Sequence, residues 1–103
     1  MTLVIPLAQI DGSKSHLVGG KAVNLSRLTK AGHAVPRGLC ITTEAYLGFT
    51  RETGLANRIE LEYNRLNLDE MRWEEIWDLA LRIRNMFLTT PFPKLLYENI
   101  VQS

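Results

Sequence analysis

The sequence has 103 residues, of which 46% are hydrophobic and 22% are charged, so it suits one small domain or subdomain and excludes extensive disorder. Its 12 basic and 11 acidic side chains nearly cancel, and no Lys/Arg cluster stands out, so we expect no binding to nucleic acid. Its one cysteine, Cys40, excludes an internal disulfide and favours a cytoplasmic location, and no apolar run is long enough to cross a membrane.

Two short apolar runs predict strands. β-Branched residues near the N-terminus favour extended structure, so the first strand is predicted over residues 3–9. The apolar run that follows a Pro-Arg-Gly turn predicts a second, buried strand over residues 38–42. This strand leads into a helix with Thr42 or Thr43 as its N-cap. So thin a sheet must pack on helices or on protein outside this chain.

Apolar residues at helical spacing predict five helices, and Gly32 is expected to end the first. The predicted helices cover residues 19–31, 43–53, 55–65, 73–88 and 92–101. In the first three helices and at their ends, the residues expected to face the core are Val18, Ala22, Leu25, Leu28, Ala45, Tyr46, Phe49, Leu55, Ile59, Tyr63 and Leu66. The elements together predict a mainly helical α+β fold with a thin sheet of short strands.

The helix predicted over residues 73–88 has the clearest pattern. The residues expected on its inward face are Trp73, Ile76, Trp77, Ala80, Ile83 and Phe87. Trp73 and Trp77 could instead form a partner-binding stripe, although residues at this spacing more often belong to a core. The acidic stretch around the start of this helix comprises Asp69, Glu70, Glu74, Glu75 and Asp78. This stretch could hold a cation, but acidic residues equally suit the positive end of a helix dipole. Because no ligand spacing of a known metal loop is present, we predict no metal site there.

The segment with plausible chemistry is Gly19-Gly20-Lys21, where two glycines precede a helix and a lysine occupies its first turn. Free N–H groups at a helix start bind anions, glycines let a phosphate approach the backbone, and an ammonium adds positive charge. A glycine pair before a helix is also often only a turn, and such a lysine is often only solvated. The segment is not a P-loop, since Ser15 and Ala22 stand where that motif needs Gly and Ser or Thr.

A longer series of residues around this segment resembles a known family. The series runs Val18-Gly-Gly-Lys-Ala-Val-Asn-Leu25, then Leu28, Ala31-Gly32, Val35-Pro36, Gly38 and Ile41-Thr-Thr-Glu-Ala-Tyr46. It is similar to the N-terminal signature of phosphoenolpyruvate synthase, pyruvate phosphate dikinase and rifampin phosphotransferase. Leu39 stands where that signature commonly has phenylalanine.

The resemblance implies that residues 1–103 form a single N-terminal, ATP-grasp-like subdomain of such an ATP-binding domain, in a fragment or truncated chain. In this family ATP, bound with Mg²⁺, phosphorylates a histidine on a separate mobile domain, which passes the phosphate to an acceptor such as pyruvate. The lysine of the GGK motif contacts the ATP phosphates. That role falls to Lys21, with Gly19 and Gly20 shaping the turn, and no catalytic residue is assigned.

Parts of the family's active site have no match in this sequence. These are an arginine-containing V-R-S-S stretch, the acidic metal ligands and the histidine domain, and neither His16 nor His33 lies in the family's histidine motif. We therefore expect the chain not to catalyse alone, and to work with the remaining domains of a longer parent chain or with a partner subunit. The alternative is a non-catalytic interaction module that retains the family fold. The phosphate acceptor stays open.

Overall fold

The computed structural model describes residues 2–103 and shows a mainly helical α+β fold with one two-stranded antiparallel sheet, which confirms the predicted fold class. In chain order its strands and helices are β1 (Val4–Pro6), α1 (Gly20–Lys30), β2 (Leu39–Ile41), α2 (Thr43–Glu52), α3 (Leu55–Asn64), α4 (Trp73–Thr89) and α5 (Lys94–Gln102). Short 3₁₀ turns cover Leu7–Gln9, Gly12–Lys14 and Leu68–Glu70. All five predicted helices are confirmed, with their ends displaced by at most two residues.

The first strand is shorter than the one predicted over residues 3–9. Pro6 has no N–H group to donate to a strand ladder, and the chain passes there into the 3₁₀ turn Leu7–Gln9. β1 pairs antiparallel with β2, so that Ile5 lies opposite Cys40. The sheet therefore spans three residue pairs, and most of the fold depends on helix packing.

The prediction that β2 is a buried strand is wrong. Leu39 and Ile41 are 41% and 51% exposed, whereas Cys40 between them is half-buried. Successive side chains of a strand point to opposite faces of the sheet. Only the face that carries Cys40 is partly covered by other residues. The partial burial of Cys40 raises the pKa of its thiol, which disfavours the reactive thiolate.

The described residues up to Gly48, together with Pro93–Ser103, form one compact unit. Its core lies between β1 and α1 and consists of Ile5, Ile10, Val18 and Ala22, with Leu7, Leu17, Val23 and Cys40 packed against them. This core fixes the chain on both sides of the loop that precedes α1.

α1 buries Ser26 rather than Leu28, which is 44% exposed, so the prediction for Leu28 is wrong. The buried stripe advances by four residues at each step, and a serine can occupy it because its hydroxyl has a partner. Ser26 Oγ donates to the carbonyl of Ile10 at 2.6 Å, and Lys30 Nζ donates to the same carbonyl at 2.9 Å. α1 is thereby joined at two successive turns to the segment that precedes its own loop.

α1 ends in a Schellman motif, which confirms Gly32 as the residue that terminates it. Gly32 has a φ of 91°, in the left-handed region. Its N–H donates to Thr29 O at 3.1 Å, and the N–H of His33 donates to Leu28 O at 3.0 Å. These two bonds satisfy carbonyls that the end of the helix would otherwise leave unpaired.

Replacing Gly32 with alanine should lower the free energy of unfolding by about 1 kcal/mol, because a Cβ is strained at positive φ. Gly48 provides a matched control inside α2, where an added Cβ would meet no atom within 4 Å. Gly48→Ala should raise the free energy of unfolding by about 0.5–1 kcal/mol, through helix propensity. Urea denaturation followed by circular dichroism measures both changes. Equal effects of the two substitutions would contradict the Schellman assignment.

The second unit covers Phe49–Phe92 and is centred on the packing of α3 against α4. Leu55, the first residue of α3, is 0% exposed, and Leu79 of α4 is 6% exposed. The rings of Phe49 and Phe87 stack with their centroids 6.0 Å apart. These apolar side chains make up the centre of the unit.

Two of the five carboxylates around the start of α4, those of Glu75 and Asp78, pair with arginines. Arg82 contacts Asp78 at 3.1 Å and Glu62 of α3 at 3.6 Å, and Arg72 contacts Glu75 at 3.4 Å. Exposed pairs of this kind stabilise a fold by only about 0–1 kcal/mol each. Within residues 2–103, no three His, Cys, Asp or Glu side chains lie where they could hold a metal ion.

Several residues that were expected to face the core are exposed. They are Tyr46, Tyr63, Leu66, Trp73, Ile76, Trp77 and Ala80. α4 turns Leu79 inward instead, and the predicted inward positions Ile83 and Phe87 are half-buried. α4 is apolar around most of its circumference, so the spacing alone does not identify the side that packs within this chain.

Candidate functional site

The glycine pair and Lys21 lie at the start of α1, between two residues of the core. Val18 and Ala22 are buried, whereas Gly19, Gly20 and Lys21 are exposed. The structure thus brings all three predicted site residues together at one exposed helix start. The buried residue on each side holds this start in place.

Gly19 is the N-cap residue of α1, and no side chain caps the helix. The first hydrogen bond of the helix joins Val23 N to Gly19 O at 3.2 Å. The N–H groups of Gly20, Lys21 and Ala22 precede this bond, and such groups have no partner within their own helix. Unpaired donors at the positive end of a helix dipole favour an anion.

Neither glycine of the pair is required by the fold of residues 2–103. Gly19 has a φ of −85°, which any residue adopts, and Gly20 is helical. A Cβ added to either would meet no atom within 4 Å. By contrast, a Cβ on Gly38 would lie 2.8 Å from Cδ1 of Leu7, so that glycine serves packing. The missing side chains at Gly19 and Gly20 leave the helix start open to a ligand.

The ammonium group of Lys21 is unengaged within residues 2–103. Two neighbouring lysines are used structurally: Lys14 Nζ donates to Gln9 O at 3.0 Å, and Lys30 Nζ donates to Ile10 O at 2.9 Å. Lys21 makes no hydrogen bond or ion pair with any of the described residues. Its charge is therefore available to an anion at the start of α1.

Thr43 holds the loop that leads into the glycine pair. Its N–H donates to Leu17 O at 3.0 Å, and its Oγ1 donates to His16 O at 3.2 Å. Thr42 rather than Thr43 caps α2, because Thr42 Oγ1 accepts from Ala45 N at 3.1 Å. The sequence offered Thr43 only as an alternative cap. Nothing local in the sequence signalled this further role, because the contacts of Thr43 to His16 and Leu17 are long-range.

The amino-acid sequence was compared with known protein families and proteins. Residues 15–103 match the family described as pyruvate phosphate dikinase, AMP/ATP-binding domain. The chain is 38% identical over 103 residues to a phosphoenolpyruvate synthase of Aeropyrum pernix, covering 98% of this chain and 12% of that protein. It is 37% identical over 83 residues to the phosphoenolpyruvate synthase of Neisseria meningitidis, covering 77% of this chain and 10% of that protein.

A third relative carries a different name. The chain is 33% identical over 92 residues to a rifampicin phosphotransferase of a Streptomyces species, covering 88% of this chain and 10% of that protein. The chain thus spans about a tenth of the length of the curated relatives that it matches. The family resemblance given by the sequence is confirmed.

Proposed function

This chain belongs to the pyruvate phosphate dikinase AMP/ATP-binding domain family, and we propose that the start of its α1 binds the phosphate groups of ATP. The N–H groups of Gly20, Lys21 and Ala22 donate to phosphate oxygens, and the Lys21 ammonium neutralises part of their charge. One observation carries the proposal. The glycine pair has room for side chains that it lacks, and the lysine beside it makes no hydrogen bond or ion pair within residues 2–103.

In this proposal residues 1–103 are the N-terminal, ATP-grasp-like subdomain of a dikinase-type phosphotransferase; Met1 lies outside the described residues. Its relatives are named phosphoenolpyruvate synthase and rifampicin phosphotransferase. The chain contributes phosphate contacts, and Mg²⁺ binds together with ATP in the whole enzyme. The phosphorylated histidine and the acceptor site belong to the remaining domains, and the chain alone has no catalysis.

A nucleotide titration of the isolated chain tests the phosphate site. With one helix start and one ammonium, we expect a dissociation constant of about 1 mM or weaker for Mg-ATP, equivalent to about 4 kcal/mol at most. In ¹⁵N-NMR spectra, ATP should shift the amide signals of Gly20, Lys21 and Ala22 more than other signals. Adenosine, which carries no phosphate, should leave these three signals unchanged. Micromolar affinity or ATP turnover would show that the chain holds more of the site than we propose.

Gly20→Ala gives the titration a structural control. A Cβ at residue 20 meets no atom within 4 Å, so the variant should unfold at the same or higher urea concentration as the original chain. The methyl group would obstruct a phosphate at the helix start, so the ATP-dependent shifts should largely disappear. A variant that loses stability but keeps those shifts would support the interpretation of the glycine pair as a simple turn.

We also propose a cytoplasmic location, because the sequence has one cysteine and its thiol has no disulfide partner within the chain. Among residues 2–103, the helices lack the length and apolar character needed to cross a membrane. The alternative of a non-catalytic interaction module has one observation in its favour, the exposed aromatic face of α4.

A further inference from the structure

The outward side of α4 is apolar. Leu79 faces the interior of the second unit and is 6% exposed. On the other side of the helix, Trp73, Trp77 and Leu81 are 66%, 53% and 46% exposed. Burial of large apolar side chains is favourable, and contiguous patches of such side chains on a surface mark interaction sites.

These side chains form a groove of about 360 Å³, which we call the α4 groove. It is lined by Trp73, Ile76, Trp77, Ala80, Leu81 and Arg84. The indole rings of Trp73 and Trp77 meet edge to face with their centroids 4.8 Å apart, so each limits the motion of the other. A groove with pre-oriented aromatic walls and one arginine has the composition of an interface centre.

The exposed apolar residues are also distributed over several helices. Besides those of the α4 groove, they include Leu61 and Tyr63 of α3 and Leu95, Tyr97 and Val101 of α5. Each of the two compact units thus exposes large apolar side chains, whereas a two-fold dimer buries one self-complementary patch. Protein that contacts several helices at once, as the rest of one domain does, covers such a distribution. The matched relatives contain enough further polypeptide for this role, since this chain spans 12% of the Aeropyrum pernix enzyme.

We propose that the α4 groove is the surface on which the rest of the ATP-binding domain packs, an inference that rests on the proposed function. Apolar side chains of that remaining part fill the groove between the two indoles. A carboxylate or carbonyl group of the same part accepts from Arg84, which has no ion pair within residues 2–103. The groove is thus an internal interface of a larger domain.

The test joins this chain to the rest of the Aeropyrum pernix enzyme, in place of the segment that it matches. Hydroxyl-radical footprinting with mass spectrometry then measures the oxidation of Trp73 and Trp77 in the hybrid and in the chain alone. We expect oxidation to fall about tenfold in the hybrid, as for residues at a buried interface centre. If the hybrid does not fold, the intact Aeropyrum pernix enzyme and its own matching segment provide the same comparison at the aligned helix.

The double variant Trp73→Ser, Trp77→Ser supplies a matched control. In the chain alone both side chains are exposed, so its melting temperature should hardly change, whereas the hybrid should melt earlier. Equal oxidation in hybrid and chain, or a dimer of the chain in sedimentation velocity that the double variant abolishes, would overturn the proposal. ATP binding by the hybrid is measured separately. Protected indoles without ATP binding refute the proposed function, and ATP binding with unprotected indoles refutes this inference.

Discussion

Replacing Lys21 with alanine should slow ATP-dependent phosphorylation about 10- to 100-fold in a full-length enzyme that carries this chain as its nucleotide-binding segment. The substitution removes one charge-assisted contact to phosphate, and such contacts contribute about 1.5–3 kcal/mol. Lys21→Arg should recover only part of the rate, because the guanidinium fork is larger and directs its donors differently. Phosphorylation rates at saturating and limiting ATP measure the effect.

Lys94→Ala is the matched control for Lys21→Ala. Lys94 is also an exposed lysine in the first turn of a helix, and among the described residues its ammonium group pairs only with Glu98, at 3.9 Å. Both substitutions remove one positive charge, so both should leave the melting temperature nearly unchanged. Only Lys21→Ala should reduce the rate. If the Lys21 variant melts early but retains full activity once folded, the lysine is structural and the phosphate assignment fails.

Leu55→Ala should lower the free energy of unfolding by about 2–5 kcal/mol, the loss that accompanies a cavity at a fully buried leucine. Leu55 is 0% exposed at the start of α3. A typical small protein is stable by about 5–15 kcal/mol in total, so this single change removes a large part of the stability. Urea denaturation followed by far-ultraviolet circular dichroism measures it.

Leu61→Ala makes the same chemical change in the same helix at a position that is 68% exposed. We expect it to alter the free energy of unfolding by no more than about 0.5 kcal/mol. The difference between the two leucines therefore measures burial alone. A similar loss of stability in both variants would mean that the second unit is packed differently from the structure described above.

Sequence periodicity predicted the helices well but their buried faces less well. The stripe through Val18 and Ala22 was found, yet its next member is Ser26 rather than an apolar residue, because the carbonyl of Ile10 satisfies the hydroxyl. At Trp73 and Trp77 the spacing identified an apolar face of α4 without showing what covers it. Periodicity identifies which side of a helix is apolar. Which other residues pack against that side depends on the whole fold.

The candidate site could be predicted because its residues are close together in the sequence. Gly19, Gly20 and Lys21 are consecutive, and one helix start brings them together without any long-range contact. The role of Thr43 could not be predicted, because its contacts to His16 and Leu17 join residues more than 25 positions apart. Only the folded chain shows that the start of α2 holds the loop in front of α1.

The carbonyl of Ile10 has a consequence for how this family can diverge. Ser26 and Lys30 both donate to it, and Val18 returns the chain to the same core, so the intervening loop begins and ends at fixed points. Doubling the length of such a loop costs only about 0.6 kcal/mol of closure entropy. An insertion between residues 11 and 16 should therefore break local contacts, such as the bond from Lys14 Nζ to Gln9 O, and yet leave the glycine pair in place.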